Sequence, residues 1–167
     1  WTWPSYFSED RLLKGIKLTV SKWVRPSPNS APTNSKASGL YMICSLSKHL
    51  AESSGFDDAL MLDYRNYIAE STGANIFFVK DQELFTPIPD CFLNGITRQT
   101  VIDIAKMQNI NVNEGHFKTN FLSECDEAFL TGTAVEITPI SSIDKYSFEV
   151  GKITKLLMNQ FKKIVNL

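Results

Sequence analysis

Residues 74–86, ANIFFVKDQELFT, set the apolar run Ile76 to Val79 against a second run, Glu83 to Thr86, across the turn-like Lys80-Asp81-Gln82. Two short runs at that spacing read as a β-hairpin. Upstream, Ile16, Leu18 and Val20 alternate with Lys17, Thr19 and Ser21, the period of a half-buried strand. Residues 25–35 hold three prolines and form a loop. Leu40, Ile43, Leu46 and Leu50 then fall at helical spacing, with Gly55 as a natural C-terminal cap and Lys48 on the exposed face. Ala59 to Leu62, Ile110 to Val112 and Ala128 to Thr131 read as further short strands. Thr97 to Met107 is helical, with Val101, Ile104 and Ala105 on one face and Thr97 at the N-cap. Ile153, Leu156, Leu157, Phe161 and Ile164 make the apolar stripe of a closing helix. Strands and helices are mixed rather than strictly alternating, which predicts an α/β or α+β domain on a mixed sheet.

A chain of 167 residues, 43% hydrophobic and 21% charged, has the composition of one globular domain with a sizeable core, and this excludes wholesale disorder. Seventeen Lys and Arg against 18 Asp and Glu give a net charge of -1 with no basic block, so a nucleic-acid or anionic-membrane partner has no electrostatic footprint. Small molecules or proteins are the expected partners. The longest apolar runs, such as Ala74 to Val79, fall far short of a bilayer span, which predicts a soluble chain. Cys44, Cys91 and Cys125 are odd in number, widely spaced and without histidines at ligand spacing, against both a disulfide framework and a metal site. They point to a reduced compartment: the cytoplasm, or the mitochondrion in a eukaryote. The start at Trp1 fits neither a signal peptide nor a transit peptide, and the sequence reads as a fragment of something longer.

Four segments carry residues that chemistry could use, each with a plain alternative. Lys36, in Ser35 to Tyr41, sits at the exit of the Pro-rich loop. A lysine held in a pocket there would be a Schiff-base nucleophile, whereas by itself it reads first as a solvated surface lysine. Glu70 precedes the small, polar loop Ser71 to Ala74, where it faces a pocket or is an ordinary turn residue. In Leu93 to Arg98, Gly95 allows a tight turn before a helix whose free N–H groups suit a phosphate; an ordinary Thr97 N-cap explains it equally well. Thr131 to Glu136 is a run of small residues between apolar strands, a backbone-amide site for an oxyanion or carboxylate, or a plain loop. Isolated His49 and His116, and the lack of G-x-S-x-G and P-loop patterns, leave hydrolase and nucleotide-triphosphatase readings unsupported.

Taken in order, the four segments resemble the large C-terminal, cofactor-binding domain of the class IV (fold-type IV) pyridoxal-phosphate aminotransferases, most closely the branched-chain type. Lys36 to Tyr41 is similar to the family's K-A-x-G-N-Y, Glu70 to Asn75 to E-G-x-G-x-N, Leu93 to Arg98 to L-P-G-I-T-R, and Gly132 to Pro139 to G-T-A-A-E-I-T-P. Trp23 to Thr33 also resembles the family's approach to the lysine. The resemblance implies a mixed sheet forming a pseudo-barrel with surrounding helices, residues 1–167 as one cofactor-binding domain, and pyridoxal 5'-phosphate as cofactor. It implies Lys36 as the lysine that holds the cofactor as a Schiff base and carries the substrate Cα proton. It implies Glu70 as the acid at the pyridine nitrogen and Tyr41 as the phenol near the 3-oxygen. Leu93, Gly95, Ile96, Thr97 and Thr133 take the phosphate side, and the Thr133-Ala134 amides receive the substrate carboxylate. No metal is implied. The expected reaction is ping-pong exchange of the amino group of Leu, Ile or Val with 2-oxoglutarate, in a homodimer or higher homo-oligomer.

Leu40 stands where the family has Asn, Asn94 where it has Pro, and Lys152-Ile153-Thr154 where it commonly has Pro-Val-Thr. The family's smaller N-terminal domain, which supplies an arginine to the phosphate, resembles no part of this chain. D-amino-acid aminotransferase and aminodeoxychorismate lyase activities would use the same lysine. A non-catalytic domain that kept the fold is the reading from another class.

Overall fold

The structure, a computed structural model, describes residues 8–165. Helix α1 (Glu9–Lys14), N-capped by the Ser8 hydroxyl, leads into β1 (Ile16–Arg25). After the Pro-rich loop and a 3-10 turn, Ser38–Tyr41, come α2 (Met42–Ser53), β2 (Asp58–Asp63), β3 (Ile68–Ser71), β4 (Asn75–Lys80), β5 (Glu83–Pro87) and α3 (Ile96–Met107). The chain continues through β6 (Val112–Gly115), a second 3-10 turn (Thr119–Glu124), β7 (Glu127–Gly132), β8 (Glu136–Ile143), β9 (Tyr146–Ser147) and α4 (Lys152–Val165). The strands form one mixed sheet in the order β3-β2-β1-β8-β7-β4-β5-β6, with β9 paired to β8.

The sheet curls: β3, at one end of that order, contacts β4 and β5 near the other, which gives the pseudo-barrel. Because strand side chains alternate between faces, β4 splits its apolar run between two cores. Ile76 and Phe78 join Leu18, Leu60, Leu130 and Ile140 inside the curl. Phe77 and Val79 join Phe129 and the inner faces of α3 and α4, with the Phe77 and Phe129 rings stacked 5.2 Å apart. Covered on both faces, β4 reads as a continuous apolar run rather than an alternating one.

The expected hairpin is β4–β5, antiparallel with Lys80 opposite Glu83. Its two loop residues, Asp81 and Gln82, both have positive φ, 51° and 63°, which matches the twist of the flanking strands. Gly55, at φ 85°, lies one residue beyond the Ser54 C-cap of α2. Four expectations change. Gly95, not Thr97, is the N-cap of α3, so Thr97 is the second helical residue. The strand expected at Ile110 begins at Val112, where pairing with Leu84 starts. In α4, Leu157 and Phe161 are buried but Ile164 lies outside the packed face at 44% exposure. The Lys48 side chain is only 18% exposed: Nζ donates to Asp57 O and lies 3.6 Å from Glu52.

Glu127, buried on β7, accepts from Ile153 N (3.2 Å) and Thr154 N (2.8 Å), satisfying two first-turn donors of α4 and meeting its dipole with negative charge. A Cβ on Gly151 would collide with that carboxylate, so a glycine opens the helix. We expect Glu127→Ala to lower unfolding free energy in urea by about 2–3 kcal/mol, the scale of a lost charged hydrogen-bond pair, and Glu149→Ala at an exposed position to change it by less than about 0.5 kcal/mol.

Candidate active site

Two groups of residues meet at one opening of the curled sheet. The first comes from β1, β3 and the segment between β1 and α2. Lys36 is exposed at the end of the Pro-rich loop, and Tyr41 closes the 3-10 turn that follows. Glu70 is buried on β3, where it pairs with Met61 of β2, while Leu62 of β2 pairs with Val24 of β1. That register brings Arg25, at the end of β1, across β2 to the carboxylate. Arg25 Nε lies 3.3 Å from Glu70 Oε1 without the alignment of a hydrogen bond, and its Nη1 donates to Leu40 O and Cys44 Sγ. Burial pushes the Glu70 carboxyl up to about 8, against the opposing pull of the Arg25 guanidinium. The Tyr41 phenol is raised as well, by burial and then by Glu70.

The second group comes from α3 and the β7–β8 turn. Gly95, the N-cap, has no side chain to accept from the helix end, so the N–H groups of Ile96 and Thr97 are left without an intrahelical acceptor. Asn75, the first residue of β4, donates from Nδ2 to Leu93 O (2.9 Å) and accepts at Oδ1 from Gly95 N (3.1 Å). Arg98, 2% exposed, holds the helix to its surroundings through Thr86 Oγ1, Pro87 O, Asn94 Oδ1 and Glu114. Thr133 and Ala134 lie in the turn after β7, Thr133 exposed.

Together they line a cleft of about 270 Å³ that contains Lys36, Tyr41, Glu70, Leu93, Gly95, Ile96, Thr97 and Thr133. Ala134 faces a smaller adjoining crevice of about 80 Å³, shared with Asp58, Thr72 and Val135. One end of the cleft offers an amine, a phenol and a buried acid; the other offers helix N–H groups to an anion. The Thr131 hydroxyl, buried in the wall of the same cleft, has no hydrogen-bond partner among the described residues. A lysine-bound aromatic aldehyde with a phosphate tail fits that donor set, with Lys36 at the aldehyde carbon, Glu70 at a ring nitrogen and the start of α3 at the phosphate.

Sequence reasoning gave no role to Asn75 or Arg25. Both lay within quoted segments, Arg25 in Trp23 to Thr33 and Asn75 in Glu70 to Asn75, but Arg25 meets Glu70 only through strand order, which no local pattern gives. A group absent from the expectations is Asp63, Asp90 and Cys91, whose ligand-type atoms lie within 4.8 Å of one another. Arg65 Nη2 sits among them, 2.7 Å from Asp63 and 2.8 Å from Asp90, and so supplies the cation itself. All three cysteines are free and buried, and no helix among the described residues is long and apolar enough to cross a membrane.

The cleft sets a lysine at one end and free helix N–H groups at the other, and comparison with known proteins gives the chain a family. The family model for amino-transferase class IV matches residues 1–143. A probable branched-chain-amino-acid aminotransferase of Rickettsia conorii is 46% identical over 156 residues, 91% of this chain and 54% of that protein. The branched-chain amino acid aminotransferase of Escherichia coli superimposes with a TM-score of 0.94 at 38% identity, over 98% of this chain and 55% of that one. An aminotransferase from Brucella abortus, bound to the cofactor PLP, gives a TM-score of 0.89 at 31% identity, over 99% of this chain and 57% of that one. The chain belongs to the class IV aminotransferase family. It spans about half the length of the curated relatives it matches.

The raised Glu70 carboxyl makes a signed prediction for the cofactor-free protein. Its folded pKa of about 8 exceeds the unfolded value of 4.5, so the native state holds the proton more tightly. Stability is then lost as pH rises from 4.5 to about 8, at a limiting slope of about 1.4 kcal/mol per pH unit. Thermal unfolding of Glu70→Gln should show a flatter pH profile across that window, its Tm rising relative to wild type as pH increases.

Proposed function

We propose that the protein carrying this chain is a pyridoxal-phosphate-dependent transaminase that exchanges the amino group of Leu, Ile or Val with 2-oxoglutarate in a ping-pong cycle. The observation that carries this reading is the convergence on one cleft of Lys36, Tyr41 and Glu70 with the uncapped start of α3. The names of the relatives support the branched-chain substrate class. Bound there, the cofactor supplies an electron sink that makes an amino-acid Cα–H acidic.

Lys36 Nζ would then have two tasks: to hold the cofactor covalently, and, once displaced by substrate, to take the proton from Cα and deliver it to the cofactor's C4′ carbon, on the other side of the shared nitrogen. Glu70 holds a proton at the ring nitrogen, where a cationic partner offsets the cost of keeping its carboxylate buried. Tyr41 donates to the ring oxygen beside the reacting carbon. The N–H groups of Ile96 and Thr97, with Leu93, Gly95 and Thr133 around them, receive the phosphate. The amides of Thr133 and Ala134 receive the substrate carboxylate. In this reading the chain is the cofactor-binding part of a cytoplasmic homo-oligomer, and its free cysteines suit a reduced compartment.

Borohydride reduction with pyridoxal phosphate should fix the cofactor mass onto the peptide containing Lys36, and L-Leu with 2-oxoglutarate should yield glutamate. Lys36→Ala should lose both, while Lys106→Ala, at an exposed position on α3, should keep both. A label on another lysine, or equal activity of the two variants, would overturn the assignment. Turnover of D-amino acids in place of L-Leu would shift the reading to a D-specific relative. Glu70→Gln should retain cofactor but slow loss of deuterium from Cα-deuterated leucine about tenfold to a hundredfold, the loss of a charged hydrogen bond felt mainly in the transition state.

A further inference from the structure

We propose that Asn75 is the positioning residue of the phosphate-binding loop: its carboxamide, clamped between Leu93 O and Gly95 N, aims the start of α3 into the cleft. The proposal rests on the reading of that cleft as a phosphate-cofactor site. Asn75 is 5% exposed and sits opposite Thr131 in the β4–β7 pairing, at the first position of β4. Its Nδ2 donates to Leu93 O at 2.9 Å and its Oδ1 accepts from Gly95 N at 3.1 Å. The loop thereby receives one donor and one acceptor, as it would from a neighbouring strand. Only one orientation of the amide satisfies both partners, since the flipped form would set donor against donor and acceptor against acceptor.

The division of labour among the helix-end donors is the core of the inference. An α-helix leaves its first N–H groups without intrahelical partners. Here Asn75 takes up the Gly95 N–H, and those of Ile96 and Thr97 remain for an anion. Asn75 therefore does not compete for the ligand but fixes the frame that presents the donors. Arg98 ties the body of the helix to β5 through Thr86 and Pro87, and Asn75 ties the loop before it to β4, the strand that follows Glu70 by one short turn. Such a link fixes the distance between the ring end and the phosphate end of the cleft. Gly95 belongs to the same device, because a Cβ there would overlap Asn75 Oδ1.

The test compares pyridoxal phosphate with pyridoxal, which share a ring but not the phosphate, by absorbance titration of the cofactor-free protein carrying this chain. Wild type should prefer the phosphorylated compound. Asn75→Ala should lower that preference about tenfold while pyridoxal affinity stays within about twofold. A merely structural role would weaken both ligands alike. Gly95→Ala should lower the preference by a similar factor in the wild-type background and by less than about twofold in Asn75→Ala, because the atom it strikes is then gone. If Asn75→Ala does not fold, Asn75→Asp keeps the shape and the acceptor for Gly95 N but opposes Leu93 O with a second acceptor, and should lower the preference at least tenfold. An unchanged preference in whichever variant folds, or additive losses in the double variant, would overturn the proposal alone. Equal wild-type affinity for the two compounds would overturn the phosphate reading, and the proposal with it.

Discussion

Along residues 15–18 the chain enters the sheet beside β8, with Ile16 opposite Ile140 and Leu18 opposite Ile143. In the strand order this parallel pairing is the junction between β3-β2-β1 and β8-β7-β4-β5-β6. The junction is short, and other contacts extend it: Ser141 Oγ donates to Ile16 O, Asp144 N donates to Leu18 O, and the Asp144 carboxylate accepts from Thr19 Oγ1 and Val20 N. Gly15, at φ 80°, makes the approach possible, since a Cβ there would lie 2.7 Å from Ser141 N. Pro139 is tolerated in β8 because it precedes Ile140, where pairing with β1 begins. Lys36, Tyr41 and Glu70 hang from one side of this junction and the loop that opens α3 from the other.

The electrostatics of the cleft follow from which groups that junction buries. Glu70 has lost its water, and its near neighbours Tyr41 and Cys44 are also groups that would become negative on ionising; Arg25 is the cation set against them. Burial outweighs that cation, which keeps the carboxyl protonated up to about pH 8 in the empty cleft, and a second positive charge beside it would draw that value down. At the other end the positive charge is backbone dipole rather than side chain, so it presents direction without competing for a proton. The two ends would therefore complement a ligand that is cationic at one pole and anionic at the other, as the proposed cofactor is.

Much of this was legible in the sequence, for physical reasons. The β4–β5 hairpin declared itself because its two-residue turn leaves no choice of partner, and Gly55 marked the end of α2 because a left-handed residue was needed there. The helix beginning at Ile96 was placed almost correctly; a threonine N-cap outranked glycine by propensity, but the helix starts one residue after Gly95, whose N–H is held by Asn75 from another strand. β3 escaped notice since four residues buried on every side show no period. Arg25 and Lys48 escaped for a different reason: Arg25 meets Glu70 across the sheet and Lys48 meets Asp57 beyond the end of its helix, and no local periodicity encodes either contact. The motifs located the cleft residues, whereas the interactions that hold them were tertiary.

The junction also carries a cost during synthesis. Gly15 O and the hydroxyl that meets it, Ser141 Oγ, are 126 residues apart in the chain. Until β8 leaves the ribosome, β1 and β2 can pair with each other but not close the curl, so one edge of β1 and the apolar residues Ile16 and Leu18 wait in solvent. Pairings of this separation form slowly, and open strand edges are the surfaces on which nascent chains associate wrongly. The Gly15 turn that admits β8 in the finished protein is thus also where a growing chain stays unpaired until β8 has been made.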